Sequence, residues 1–488
     1  MALLESWARP EMEGARLDSP RRLPNLIRIC EKLGQHAGKS LSAALGDATR
    51  QACYDLCSRS RRVFTDLIAG HVAQTVLRCR TAAAADPIIV TQDSVCLDYF
   101  THRGCKGLGP VTNSADSYGL WAHSALAWSP TGVPLGVLDL QFWVRDAACH
   151  GQRALRHTRS AEEKETEAWA STARAVIDAF DAEPVPLVLV QDRGADLYAF
   201  LMTPRPPQVQ FVVRAYQPRR AQRLPDGPAD LAVSAEALGP PKALPQLWSE
   251  APVRVARWEV DVTGTPATPK RPARPDRKAQ VEIRSARVRL LRPQTAEARR
   301  GQWRNLVWWA VWVRELDPPA GETALAWLLL TTLDAGSAGG ALLVVQTYAK
   351  RWGIERLHRV LKSGLRVERY QVDDVTSLQN ILSLSWVVAW RILQLTEVVR
   401  ATPEVPPEAW LGDSELAVLT AKFGRRPTTV REALRLVAKF GGWPGATRKQ
   451  DPGTDVLWRG FHDLAVAVAT WDLARDTFSP TPTPHDTS

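Results

Sequence analysis

Apolar residues recur along this chain at two different intervals, and the switch between them divides it. Up to about residue 80 the interval is helical, in PRRLPNLIRICEKL and then in a longer segment, Ala43 to Arg80. Pro20 ahead of Arg21 and Arg22 fits a helix start, and Gly34 a helix end. From Pro87 the interval becomes two. PIIVTQDSV, YGLWAHSALAW and PLGVLDLQFWV read as strands separated by turn sequences such as SPTGVP. Ala161 to Asp181 is helical again, PVPLVLVQD a strand and ADLYAFLM a helix. Between Phe211 and about Leu330 the alternation resumes in RVARWEVDVTG, QVEIRSARVRLL and NLVWWAVWVREL. The Pro-rich loop Lys270 to Lys278 cannot lie in a central strand. Helices then run to about Leu395 and, past the joint ATPEVPPEAW, to about Asp476; the tail SPTPTPHDTS predicts disorder.

One segment departs from a plain amphipathic pattern. YAKRWGIERLHRVLKSG, residues 348 to 364, reads as a single helix. At about 100° per residue, Tyr348, Arg351, Glu355 and Lys362 share an arc roughly 60° wide. Ile354, Leu357, Leu361 and Leu365 share a separate arc that can pack on a core. A buried face gains nothing from aligning a phenol, a guanidinium, a carboxylate and an ammonium, whereas a long anionic partner would use all four. The plain alternative is a solvated helix whose ion pairs contribute only about 0.2–0.5 kcal/mol each.

Charge strengthens the anionic reading. The chain has 62 Lys+Arg against 52 Asp+Glu, a net charge of +10, which suits a polyanion. Arg351 to Arg369 holds six Lys/Arg and two Glu, a local excess of four. With 488 residues, 45% hydrophobic and 23% charged, the chain has the composition of a soluble globular protein of two to four domains. Apolar runs such as Ile381 to Trp390 are shorter than the roughly 20 residues of a membrane span. The opening MALLESWARPEMEG is not a secretory signal, so a cytoplasmic protein without a membrane partner is expected. The seven cysteines all precede residue 150 and form no CxxC pair, which predicts reduced thiols. His102, Cys105, Cys149 and His150 lack zinc spacing.

Two further carboxylates stand out. Asp93 follows IIVTQ and Asp192 follows VPLVLVQ, each with the form apolar strand, Gln, Asp. Period-two alternation places Asp93 on the face of Ile89 and Thr91 and Asp98 on the opposite one. Most such Asp residues accept backbone N–H bonds at a turn. Carboxylates converging from strand ends and a helix can instead hold hard divalent cations, which take oxygen ligands.

QDS, QDRGAD and the spacing Tyr-x2-Arg-x3-Glu-x6-Lys together resemble the DDE transposases of the insertion-sequence-four group, especially the transposon-five type. The element order, three strands, a helix, a strand and a helix, matches a ribonuclease-H-like core. The resemblance implies an α/β fold: a ribonuclease-H-like catalytic core over 81–370 with an inserted β-rich domain at about 215–330. An N-terminal helical DNA-end-binding domain (1–80), a helical C-terminal dimerisation region (371–476) and a disordered tail (477–488) flank it. It also implies that Asp93, Asp192 and Glu355 hold two Mg²⁺ ions, with Mn²⁺ as a substitute, for cleavage of phosphodiester bonds at transposon ends and strand transfer into target DNA. Tyr348, Arg351 and Lys362 would bind backbone phosphates. Trp327 would stack on a flipped nucleotide, and Arg21, Arg22, Arg28 and Lys39 would contact the inverted repeats. EEKETEAWA (Glu162 to Ala170), FVVRAYQPRR and the end segment Leu457 to Ala474 also resemble the family, the last its dimer-forming region. A homodimer pairing two DNA ends, associated with a bacterial nucleoid, completes the expectation.

GQHAGKS (Gly34 to Ser40) imitates a phosphate-binding loop but is one residue short and follows a helix. The alternatives are a catalytically silent, domesticated DNA-binding protein, which loss of a triad residue would mark, and a metal-dependent DNA nuclease, which would lack flanking inverted repeats.

Overall fold

A computed structural model describes residues 2–58, 64–83, 86–102, 104–112, 117–146, 167–225, 238–262, 275–445 and 451–478. The tail, Cys149, His150, Glu162 to Thr166 and most of the Lys270 to Lys278 loop lie outside the described residues. The chain forms two compact units: Met1–Ala84, Ser94–Arg156 and Ile354–Ser488 make the first, and Ala85–Asp93 and His157–Gly353 the second.

The first unit is built around one helix, Val375–Ala401. Asp374 caps it by accepting the Ser377 N–H at 2.9 Å, which satisfies one of the donors a helix start leaves open. Trp386 and Trp390 are buried along it, and the Trp390 indole donates to Pro134 O at 3.0 Å. Val375–Val398 is long and apolar enough to cross a membrane, contrary to the expectation from run lengths. Asn380 and Arg391 bound the run Ile381 to Trp390, but the residues beyond them are apolar enough to keep the average of the longer window high. The window is 94% buried inside the protein, which marks a core helix. Against it pack the N-terminal helices, among them Leu23–Gln35, which buries Leu26, Ile29 and Leu33 and exposes Arg28. The expected long segment Ala43 to Arg80 is a series of helices, among them Asp47–Ser58, Phe64–Leu67 and Ala69–Ala82.

A buried cluster ties these helices together. Glu11 accepts from His71 Nδ1 at 2.6 Å and from Arg78 at 2.6 Å, and His71 Nε2 accepts the Val137 N–H at 3.0 Å. Burial alone would raise the Glu11 carboxyl, but His71 and Arg78 hold it below its ordinary value. Burial keeps the His71 pKa low, against the pull of Glu11.

The same unit contains the end of strand β1 (Ile88–Asp98), β2 (Gly109–Pro110), β3 (Tyr118–Trp128) and β4 (Pro134–Trp143). β3 and β4 form an antiparallel hairpin, and β2 pairs with β3. Gly119 lies so close to β1 that a Cβ there would sit 1.9 Å from Leu97 O, so only glycine fits. The C-terminal helices Asp413–Phe423, Val430–Phe440 and Thr454–Phe478 enclose their own core, which includes Leu416, Leu434, Val437, Leu457 and Val468.

The second unit is one sheet. The start of β1 pairs in parallel with β5 (Leu187–Gln191), and β5 in parallel with β6 (Val209–Arg214). Next come β12 (Ala326–Thr331), β11 (Leu306–Glu315) and β10 (Arg277–Leu290), all antiparallel. β10 then carries β7 (Arg220–Arg223), with β8 (Lys242–Ala243) beyond it, and also β9 (Val253–Val262). The β-rich segment is therefore present as strands, and they extend the β1–β5–β6 sheet at its β6 edge. Alternation identifies a strand but not its partner, so this pairing could not be read from the sequence.

The predicted helix 348–364 is a correction. It is three pieces: Ala338–Ala349 ends just past Tyr348, a turn at Lys350 and Arg351 follows, Trp352–Arg359 is α-helical, and Val360–Gly364 is a π-helix. The shared 60° arc does not survive the break. Ile354, Leu357 and Leu361 are each fully buried as expected. Tyr348 and Arg351, expected on the open face, are 4% and 7% exposed. ADLYAFLM likewise shortens to a 3-10 turn, Arg193–Ala195, and one helical turn, Tyr198–Leu201.

Candidate active site

β1 and β5 place their two aspartates side by side. Their register pairs Thr91 with Val190; Asp93 lies two residues further along β1, and Asp192 two residues further along the chain, just past the end of β5. Neighbouring strands are about 4.8 Å apart, so the two carboxylates emerge from one end of the sheet as near neighbours. The residues before them are buried on both strands, and the aspartates are half-buried.

Asp192 does not play the ordinary turn role. It occupies the position before the turn Arg193–Ala195, yet its side chain makes no capping hydrogen bond. Its Oδ1 is buried without a hydrogen-bond partner among the described residues. An unmatched buried carboxylate oxygen is costly, on the order of 1–3 kcal/mol or more, unless a ligand supplies the partner. Gly194 holds the turn against the Trp169 ring, which a Cβ would meet at 2.8 Å.

Arg351 reaches back from the turn after Tyr348 and sets Nη1 3.4 Å from Asp93 Oδ2. Tyr348 packs edge-on against the half-buried Trp327, with ring centroids 5.3 Å apart. Burial pushes the Tyr348 phenol above its usual pKa; Arg214 and Arg351 pull it down and the Asp192 carboxylate pushes it up. The second unit thus gathers Asp93, Asp192, Tyr348 and Arg351, with Trp327 on the phenol. Arg214, on β6, belongs to this group and was not singled out, although it stands inside FVVRAYQPRR.

Glu355 and Lys362 belong to the first unit. Glu355 is half-buried on Trp352–Arg359, a helix anchored by Leu357 and by Arg356, whose Nη1 lies 2.6 Å from Glu397 Oε1. Lys362 pairs with Glu368 at 3.0 Å, and the same Glu368 oxygen accepts the Asp98 N–H at 3.0 Å. Arg21, Arg28 and Lys39 are exposed, whereas Arg22 is half-buried and 3.4 Å from Asp18.

Asp93 lies inside β1, not at its end as expected, because the strand continues to Asp98; with Asp192 just past the end of β5 and its one unpartnered oxygen, the pair fits the oxygen chemistry of a hard divalent cation. Among the described residues no group of three or more His, Cys, Asp and Glu side chains is arranged to hold a metal ion. The six described cysteines are all free, in line with reduced thiols.

Residues 387–481 match the family model described as the transposase Tn5 dimerisation domain. The match covers the C-terminal helices and contains the segment Leu457 to Ala474, and it bears out the resemblance to the transposon-five type. On the last of these helices Val466 and Leu473, seven residues apart and so on one face, are 51% and 69% exposed, apolar surface suited to a second subunit.

Proposed function

We propose that this transposon-five-like chain is a cut-and-paste DNA transposase, with Asp93, Asp192 and Glu355 as its catalytic carboxylates in a ribonuclease-H-like core. The observation that carries the reading is the register-matched pair Asp93 and Asp192, with the buried Asp192 Oδ1 left open. The matched C-terminal domain supports a homodimer, and a dimer can hold two DNA ends.

Two Mg²⁺ or Mn²⁺ ions on the three carboxylates would neutralise the scissile phosphate and make water a competent nucleophile. The protein's own groups do the rest. Arg351 balances the Asp93 charge and, with Tyr348 and Lys362, would bind backbone phosphates, which position DNA without reading sequence. Trp327 offers a half-buried ring to a base taken out of the stack. Arg21, Arg28 and Lys39 are open to the inverted repeats, and Arg22 joins them by releasing Asp18.

The test is end cleavage and end binding by Asp93→Asn, Asp192→Asn and Glu355→Gln in Mg²⁺. Each should lose cleavage and strand transfer while retaining binding to inverted-repeat duplex. Full cleavage by any of them would exclude that residue from the triad. Binding without cleavage by the parent chain, in Mg²⁺ and Mn²⁺ alike, would favour a silent DNA-binding protein.

A further inference from the structure

The opposite end of the second unit's sheet has chemistry of its own. The segment Leu201 to Pro207, the starts of β6 and β11 and the end of β12 enclose a cavity of about 620 Å³. β6 runs parallel to β5 with Val209 opposite Leu187, so the cavity lies where these strands begin, and Asp192 lies where β5 ends. Among the described residues Arg205, Arg287 and Arg304 line the cavity, and no Asp or Glu does. Among the described residues none of these three guanidiniums forms an ion pair or donates a hydrogen bond.

Arg205 is half-buried over the rings of Phe211 and Trp308, 5.0 and 5.4 Å from their centroids. Burial draws its pKa down, as expected of a cation without a counter-ion. Such a group is costly to desolvate, and Arg205 with the half-buried Arg287 and the exposed Arg304 around one cavity calls for an anion. The walls between the arginines are mixed: apolar Met202, Pro204 and Trp308 stand beside the hydroxyls of Thr203, Thr331 and Thr332. A bare inorganic anion would leave those walls uncovered, and a neutral aromatic would leave the cations unmatched. The volume also exceeds what a single phosphate fills.

We propose that this cavity binds a nucleoside phosphate, the phosphate on Arg205, Arg287 and Arg304 and the base against the apolar part of the wall. The nucleotide is either free or the unpaired terminal residue of a DNA strand. The site is separate from the carboxylates, so its test does not depend on cleavage.

The full chain is titrated calorimetrically with dAMP, with inorganic phosphate, and with duplex DNA that is blunt or carries a single-stranded overhang. dAMP should bind about tenfold or more tightly than phosphate, and Arg205→Gln/Arg304→Gln should lose about tenfold or more of that affinity. Arg304→Glu, at an exposed position, should show the same loss with an unchanged Tm. An overhang preference that the variants abolish supports the strand-borne nucleotide; dAMP binding without such a preference supports the free one. The proposal is overturned if phosphate binds as tightly as dAMP, or if the variants leave both dAMP and overhang binding unchanged. Asp192→Asn should not alter dAMP binding, so failure of this site and failure of the cleavage assignment are separate results.

Discussion

Asp192 and Asp196 stand four residues apart in QDRGAD and do opposite things. Asp196 is 1% exposed and saturated: it accepts the Tyr216 and Gln217 N–H groups, each at 2.7 Å, and the Arg219 Nε at 2.8 Å. It clamps the turn between β6 and β7, the basic turn of FVVRAYQPRR. Asp192 has a buried oxygen with no partner and declines even the capping bond open to it. Burial alone does not separate a structural carboxylate from one kept for a ligand; unfilled hydrogen-bonding capacity does.

The sharpest way to break this contrast is to neutralise each aspartate in turn. Asp192→Asn should lower end cleavage by on the order of 10³-fold, the loss of several kcal/mol of charge stabilisation at about 1.4 kcal/mol per decade, with little change in Tm. Asp196→Asn should instead cost about 3 kcal/mol or more of stability, read by denaturant unfolding, because Arg219 is left buried without its counter-charge. Equal loss of stability in both variants would erase the distinction.

Glu11 extends the saturated class and adds a pH test. Its folded-state pKa lies below the ordinary 4.5, so its contribution is complete above that pH and is lost as pH falls through the lower folded value. His71 acts in the same direction: its lowered pKa gives stability that is complete above about 6.5 and declines as the pH falls below it. Tm should therefore decline on acidification from pH 7 and further below 4.5, and Glu11→Gln should be less stable at pH 7 with a shallower decline below about pH 4.5, where Glu11 itself takes up its proton. An unchanged slope would remove Glu11 from the class.

Lys362 and Glu368 form a half-open pair between the two extremes, and the expected effect is smallest there. Lys362→Ala should weaken end binding and reduce the salt slope by about 0.9, the counterion release of one phosphate contact. Glu368→Gln should tighten binding slightly by freeing the ammonium. A Lys362→Ala salt slope identical to that of the parent would mean that the ammonium serves only Glu368.

Strand positions were legible because period-two alternation is a local property: β3 spans Tyr118–Trp128, the same segment that alternation marks, and β4 nearly that of PLGVLDLQFWV. The segments QDS and QDR were legible too, but not that QDS lies inside β1 or that β1 and β5 are neighbours in matching register, which is set by long-range pairing. The break at Lys350 and Arg351 gave no signal, since neither residue is a helix breaker; Arg351 meets Asp93, 258 residues away in sequence. The role of Asp196 was hidden for a similar reason, because its partners begin 20 residues later in a turn without strong periodicity. The three arginines of the cavity come from separate segments and meet only in the folded sheet.

The exposed Val466 and Leu473 on one helix face carry a consequence for assembly. Where pairing of two chains covers them, folding and assembly become a single mass-action equilibrium, and thermal stability rises with protein concentration. A cell holding few copies would then keep the chain mostly in its dilute, less stable and more readily degraded form. The number of molecules made, as much as the residues at the site, would set how often two DNA ends are brought together.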